Sequence, residues 1–314
     1  MSEFDLIRRH FTHATPSALL GVGDDAALLQ VPTGEVMAVS SDMLVSGTHF
    51  FPDADPYLLG HKTLAVNLSD LAAMGATPRW ATLALSLPNA DDAWLDRFSA
   101  GFFALARQHH VDLVGGDTTR GPLNLCVTIM GTVPAHQALR RDGAQVGDEI
   151  WVSGKLGDAA LALAHLQGKV VLSGDEFATC ATALHSPQPR VALGFALRDI
   201  AHSAIDISDG LLADLGHILA ASHVGAVLDY AALPLSSVLL SYADFAQQCV
   251  LAGGDDYELC FTAPATRHTE LLRIAQEIAL PLSCIGKVVA GSGSVVHDAQ
   301  GNILQLKSRG YDHF

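Results

Sequence analysis

The chain is short of positive charge. Its 314 residues carry 18 Lys and Arg against 33 Asp and Glu, a net charge of −15. A surface of that sign repels nucleic-acid phosphates and anionic lipid unless cations intervene, so no nucleic-acid or membrane partner is expected. No run of about 18 apolar residues occurs, and no transmembrane helix is expected. Met1-Ser2-Glu3-Phe4-Asp5 has no basic segment leading into an apolar one, so no signal peptide is expected either. The five cysteines, Cys126, Cys180, Cys249, Cys260 and Cys284, form no C-x-x-C pair and mostly sit in apolar runs. They read as small buried hydrophobes of a protein in the reducing cytoplasm. The fifteen histidines include no H-E-x-x-H, and their spacing predicts no zinc site. Also missing are a G-x-x-x-x-G-K-[ST] loop, a G-x-G-x-x-G turn in a βαβ unit and the protein-kinase signatures.

What is present suffices for two cores. Hydrophobic residues make up 49% of the chain, and at about 150 residues per domain its length suggests two domains. Periodicity predicts a helix over 3–12, strands over 26–31 and 35–45 joined by Pro32-Thr33-Gly34, and a helix over 56–74. A strand over 79–87, an amphipathic helix over 91–110 and strands over 111–114 and 123–133 complete this half. After a connector over 134–148, strands are predicted at 149–153, 204–207, 226–230, 257–262 and 284–289. Helices are predicted near 157–167, 175–184, 190–201 and 267–279, and from 211 onward. The order is not a clean βαβ alternation. It reads as α+β, with a division into residues 1–137 and 138–314.

The acids are 26 Asp and only 7 Glu. Glu is the better helix former, so an excess of Asp points to caps, turns or short, rigid metal ligands. Gly23-Asp24-Asp25 reads equally as a turn or as a ligand loop. Asp42 follows the strand Val36-Met37-Ala38-Val39, where Asp is disfavoured. Asp70 lies in a helix apolar nearly all round, on which Thr63, Asn67 and Asp70 form one stripe at spacings of four and three. Such a stripe is either solvated or, if buried, in need of polar partners. Gly115-Gly116-Asp117 follows an apolar strand, and paired glycines let a backbone approach a ligand closely. Asp206 and Asp209 flank a strand-to-helix step, where Ser208 or Asp209 is either an N-cap or part of a phosphate site. Gly253-Gly254 repeats the glycine pair beside Asp255 and Asp256. Carboxylates gathered in one place repel unless cations neutralise them, and each Mg²⁺ usually takes one or two. If these segments converge, they specify a nucleoside triphosphate site with more than one Mg²⁺ and no Walker lysine.

Five stretches, in order, carry a resemblance to the bacterial thiamine-monophosphate kinases over essentially the whole chain. They are Gly21-Val22-Gly23-Asp24-Asp25-Ala26-Ala27-Leu28-Leu29, Ala65-Val66-Asn67-Leu68-Ser69-Asp70-Leu71-Ala72-Ala73-Met74-Gly75-Ala76, Gly115-Gly116-Asp117-Thr118-Thr119-Arg120-Gly121, Ile205-Asp206-Ile207-Ser208-Asp209-Gly210-Leu211 and Gly310-Tyr311-Asp312-His313-Phe314. The resemblance implies the two-domain α+β (α/β) fold of aminoimidazole ribonucleotide synthetase, with mixed sheets flanked by helices. It implies a homodimer formed through the N-terminal domains and an active site in the cleft between the two domains. It implies phosphorylation of thiamine monophosphate by ATP and several Mg²⁺ ions, giving thiamine diphosphate.

Carried over by position, the resemblance makes Asp25, Ser40, Ser41, Asp42, Asp70, Asp117, Asp206 and Asp209 metal ligands. Gly116, Asp117, Arg141 and Ser208 would contact ATP, and His49, Asp255 and Tyr311 would contact thiamine monophosphate. Two positions depart from the family pattern: Asp255 stands where Glu is usual, and Ser41 where Thr is commoner. His49 reads either as a phosphate-orienting group or as a solvated loop residue, and Arg141 as an ATP contact or an ordinary connector charge. The acceptor would be a phosphate oxygen, already ionised at neutral pH, so no general base is expected. Asp42, Asp70, Asp117 and Asp209 would act by bridging Mg²⁺. The related selenophosphate synthetases carry a reactive Cys near the N-terminus, whereas the first Cys here is Cys126.

Overall fold

The computed structural model of the protein describes residues 3–305, 310 and 311. The chain forms two compact units. One holds the residues up to Leu71 together with Ala76–His136; the other holds Ala72–Gly75 and the chain from Gln137 onward.

The first unit contains α1 (Glu3–His10), β1 (Glu35–Val45), α2 (Pro56–Ala73), β2 (Thr77–Leu87), α3 (Asp92–Gln108), β3 (Asp112–Arg120) and β4 (Asn124–Pro134). Pro56 opens α2 where a missing N–H costs nothing. Asp91 caps α3 by accepting from the Ala93 and Trp94 N–H groups. The strands order as β1-β4-β2-β3, antiparallel except for β2 with β3. Leu125, Val127 and Ile129 of β4 are fully buried, and their partners on β1 are Leu44, Asp42 and Ser40. This is the inward face, which α2 covers with Leu64, Leu68 and Leu71. Helices α2 and α3 meet through glycine. A Cβ on Gly60 would stand 2.0 Å from the Phe98 carbonyl oxygen, and one on Gly101 1.9 Å from that of Tyr57. The pleat sends Met37, Val39, Ser41 and Met43 to the outer face, beside Thr132, Met130, Thr128 and Cys126. That face leaves Val39 59% and Met43 55% exposed.

The second unit contains β5 (Glu149–Ser153), α4 (Asp158–Leu166), α5 (Gly174–His185), α6 (Val191–Ala196), β6 (Ser203–Asp206), α7 (Leu211–Ser222) and β7 (Gly225–Asp229). It continues with α8 (Ser237–Leu240), α9 (Ala243–Ala252), β8 (Leu259–Ala263), α10 (His268–Glu277), β9 (Leu282–Val289) and β10 (Gly293–His297). The sheet order is β10-β7-β9-β5-β8-β6, antiparallel except for β10 with β7. On one face Ile150, Val152, Ile205 and Cys260 join the apolar sides of α4, α5, α7 and α9 in a single core. On the other, Trp151 stacks on Phe261 and lies 4.8 Å, ring to ring, from His268 at the start of α10.

Several elements differ from the sequence expectation. Residues 26–31 form no strand; only Leu28 makes a bridge, to Leu20. Strand β3 does not stop before Gly115 but runs on to Arg120, because β2 offers it a ladder as far as Leu87. The helix expected over 190–201 ends at Ala196. The sequence expectation also leaves out α8, α9 and β10.

Candidate active site

Strand β1 and helix α2 hold the first acidic set. The Ser40 hydroxyl donates to Asp70 Oδ2 at 2.5 Å, and the Asp42 N–H donates to Asn67 Oδ1 at 3.1 Å. Asn67 Nδ2 donates to the Thr63 carbonyl at 3.0 Å, and Thr63 Oγ1 to that of Leu59 at 2.7 Å. The polar stripe of α2 is therefore not a solvated face. Thr63 and Asn67 are buried against β1, and their hydrogen bonds offset the cost. Asp70 and Asp42 stay half-buried. The result is a group of hard oxygen donors of the kind Mg²⁺ takes. Ser41 faces the other way. Its hydroxyl bonds to Thr128 Oγ1 at 3.0 Å and to the Val127 carbonyl at 3.1 Å on the outer side. A cation beside Ser40 and Asp42 would meet Ser41 through its main-chain carbonyl, not its hydroxyl. In the turn after β1, His49 Nδ1 accepts the Val45 N–H at 3.0 Å, which puts the neutral ring's proton on Nε2.

On β3, Gly116 has φ 151°, and a Cβ there would stand 1.9 Å from the Leu83 carbonyl oxygen. The approach of β2 to β3 already requires glycine at this position, whatever binds nearby. A bulge opposite Ala81 and Thr82 precedes it. Beyond the bulge, Asp117 joins Asp24 and Asp25 in the lining of a cavity of about 510 Å³. Leu83, Leu85, Leu113 and Val114 form an apolar part of its wall, with Ile7 and Phe11 beside them, and Thr118 adds a hydroxyl. Polar groups set against an apolar wall in a cavity of this size suit a nucleoside-sized ligand.

The second acidic set lies where β6 ends. Asp206 is buried and the chain turns through Ser208 and Asp209 into α7. Neither is the N-cap: Gly210, at φ 126°, occupies that position without a side-chain cap. Asp214 Oδ2, one turn into α7, accepts the N–H groups of Ser208, Asp209 and Gly210 at 3.0, 3.0 and 3.1 Å. An internal carboxylate thus takes the place an external phosphate would fill at this helix start. Burial pushes the Asp214 carboxyl up to about 7, against the pull of the three amides. Ser208 can therefore offer a phosphate its hydroxyl, but not its N–H.

Two further expected residues come to this loop through the backbone. The Asp255 N–H donates to the Ser208 carbonyl at 2.9 Å, and the Tyr311 N–H to the Asp209 carbonyl at 3.0 Å. Asp255 sits at φ 70°. Asp tolerates that left-handed conformation better than Glu does, which gives a local reason for the shorter acid. The other acids of the segment turn inward. Both Asp256 oxygens accept the Gly157 N–H, and burial pushes this carboxyl upward. Glu258 pairs with Arg190 and accepts from Ser153 Oγ at 2.5 Å. Arg141 is exposed, with its carbonyl held by Ser222 Oγ at 2.8 Å. Asp312, His313 and Phe314 of the closing motif lie outside the described residues. Sequence reasoning missed Asp214 and the Glu258–Arg190 pair; the available signal was a lone acid in the apolar run Leu211–Leu219.

Residues 23–133 match the N-terminal domain of the AIR synthase related proteins, and residues 145–299 match the C-terminal domain. The two α+β units with mixed sheets are thus those of the AIR synthase-related class. The chain is 47% identical to the thiamine-monophosphate kinase of Escherichia coli (strain K12), over 99% of its own length and 98% of that protein's. The crystal structure of thiamine-monophosphate kinase from Stenotrophomonas maltophilia K279a matches with a TM-score of 0.88 and 51% identity, covering 97% of this chain and 98% of that one. AaThiL complexed with AMPPCP and TMP matches with a TM-score of 0.80 at 28% identity, covering 99% and 96%. Within its class, the chain belongs to the thiamine-monophosphate kinase family, whose members are enzymes, thiamine-phosphate kinases. Among the described residues no helix is long and apolar enough to cross a membrane.

Proposed function

We propose that the chain transfers the γ-phosphoryl group of ATP directly, in line, to the phosphate of thiamine monophosphate, releasing thiamine diphosphate and ADP. The observation that carries this reading is the joining of β1 to α2, which gathers Asp42, Asp70 and the Ser40 hydroxyl on one side of the sheet. The AaThiL complex, holding AMPPCP and TMP, supports the two substrates.

The all-oxygen donor set fits Mg²⁺ rather than a softer metal. Several Mg²⁺ ions, held by Asp25, Ser40, Ser41, Asp42, Asp70, Asp117, Asp206 and Asp209, would cancel the charge of two polyanions that must meet. Gly116, Asp117, Arg141 and Ser208 hold ATP in this reading, with the Ser208 hydroxyl as its donor. His49, Asp255 and Tyr311 hold thiamine monophosphate in this reading, and His49 would orient a phosphate oxygen through Nε2, since Nδ1 accepts the Val45 N–H. No residue need remove a proton, because the acceptor oxygen is already ionised; the chain contributes alignment.

Residues 1–137 serve as the Mg²⁺/ATP-binding and dimerising domain, and 138–314 supply the second acidic set. The exposed Val39 and Met43 on the outer face of β1 support a homodimer. Five free cysteines support a cytoplasmic location. The test is ADP release from ATP and Mg²⁺ with and without thiamine monophosphate, with chromatography of the thiamine product. Thiamine diphosphate formed in step with ADP is expected. Folded protein that binds the nucleotide yet forms no diphosphate would point to another acceptor.

A further inference from the structure

A second cluster of ligand-type side chains lies in the second unit. Glu149 on β5, Cys284 on β9 and His268 at the start of α10 bring a carboxylate oxygen, a thiol and a ring nitrogen within 4.8 Å of one another. Strand register shows how they meet. Glu149 pairs with Lys287 and Ile150 with Gly286, but Trp151 pairs with Cys284, so Ile285 is the extra residue of a bulge. In an unbulged ladder Ile285 would pair with Trp151, and Cys284 would stand opposite Val152 and point into the apolar core. With the bulge, Cys284 shares the face of Trp151 and Glu149. His268 is fixed to the same face by its contact with the Trp151 ring and by a 2.8 Å hydrogen bond between Nδ1 and Glu149 Oε2.

We propose that Glu149, His268 and Cys284 form a binding site for a transition-metal dication of the Zn²⁺ type, separate from the phosphotransfer residues. One thiolate, one imidazole and one carboxylate are a mixed S/N/O set, which suits Zn²⁺ or Co²⁺ and is a poor match for Mg²⁺. Three protein ligands with His268 partly exposed leave a fourth position for water. A cation would take the place of the proton now shared by His268 and Glu149. It would also displace the Cys284 proton, since a coordinating thiol is deprotonated. The cluster lies at the Glu149–Ala263 end of the β5–β8 ladder, whereas Asp206 pairs with Leu259 at the other end. The four residue steps from Leu259 to Ala263 on β8 correspond to about 13 Å. The bound ion would tie α10 to two strands of the sheet. No H-E-x-x-H announces such a site, because its ligands are spread over 136 positions, from 149 to 284 inclusive.

The test uses the full chain, free of any affinity tag and stripped with a chelator, with Co²⁺ as the probe. Expected are one Co²⁺ per chain with a thiolate-to-cobalt charge-transfer band, displacement by Zn²⁺ and no displacement by excess Mg²⁺. Cys284→Ser should abolish the band, and His268→Gln should weaken Co²⁺ binding at least about tenfold. Zn²⁺ should raise the melting temperature of the wild type and leave that of Cys284→Ser unmoved. Kinase turnover in Mg²⁺ alone, unchanged in both variants, reports that they fold. No charge-transfer band in the wild type, or a band that survives in Cys284→Ser, would overturn the proposal.

Discussion

The two units use their acids in opposite ways. In the first, Asp25, Asp42, Asp70 and Asp117 are exposed or half-buried, and the contacts at β1 and α2 come from hydroxyl and amide donors. In the second, Asp158, Asp214, Asp256 and Glu258 are buried, and each is held by protein donors: Ser236, three amides of one loop, the Gly157 N–H, and Arg190. The first group stays within reach of an incoming cation. The second group serves as internal carboxyl groups that close loops and helix ends. Among these eight acids, depth and donor type rather than the Gly-Asp pattern separate a candidate ligand from a structural carboxylate, although Asp206 of the second unit is buried and belongs to the proposed ligand set.

The sharpest way to break that comparison is to neutralise one acid of the open group. Asp42→Asn or Asp70→Asn should lower turnover by about a thousandfold or more, with circular dichroism and melting unchanged. Near-wild-type turnover in both would remove them from the ligand set. The buried group should instead show its worth in stability. Arg190→Ala leaves Glu258 without its cation and should cost about 3–5 kcal/mol in a denaturant melt. Arg97→Ala, which breaks the exposed pair with Asp55, should cost at most about 1 kcal/mol. Equal losses would mean the two units do not differ in this respect.

A finer contrast lies within β1. Ser40→Ala removes a hydrogen bond to a carboxylate, worth about 1.5–3 kcal/mol, and should reduce turnover roughly tenfold or more. Ser41→Ala should leave turnover within about twofold and cost stability about 1 kcal/mol through the lost Thr128 contact. The smallest effect concerns pH. Burial raises the Asp158 pKa above its ordinary value, so the folded state holds that proton more tightly than the unfolded chain. Wild-type stability should therefore decline as pH rises from about 4 through the raised value, and Asp158→Asn should flatten that slope in melts taken across the range.

Much of this was legible in the sequence. Pro56 and the apolar run to Ala73 fixed α2, and the Thr63, Asn67, Asp70 spacing marked the face that turns to β1. The strand bounds of β1 and β5 match the runs expected over 35–45 and 149–153, which lie beside turn residues. Alternation also separates Ser41 from Ser40 and Asp42, although the motif groups all three. What stayed hidden depends on distant partners. Asp214 reads as an ordinary first-turn acid until the loop before it folds back, and Gly116 reads as a ligand-facing glycine until Leu83 is seen beside it. The continuation of β3 past Gly115 depends on the neighbouring β2 rather than on its own residues. Cys284 is aimed by a bulge that no local pattern encodes.

The pleat of β1 also limits how its gene can change. Its odd residues carry the apolar outer face and its even ones, Ser40 and Asp42, the inward oxygens. Inserting or deleting a single codon ahead of Ser40 would exchange the two sets, setting Met and Val among the oxygens and Asp toward solvent. A change of two codons would restore the order of the faces. Length variation in this strand should therefore be inherited in pairs, a rule enforced by a period of two and not by any one side chain.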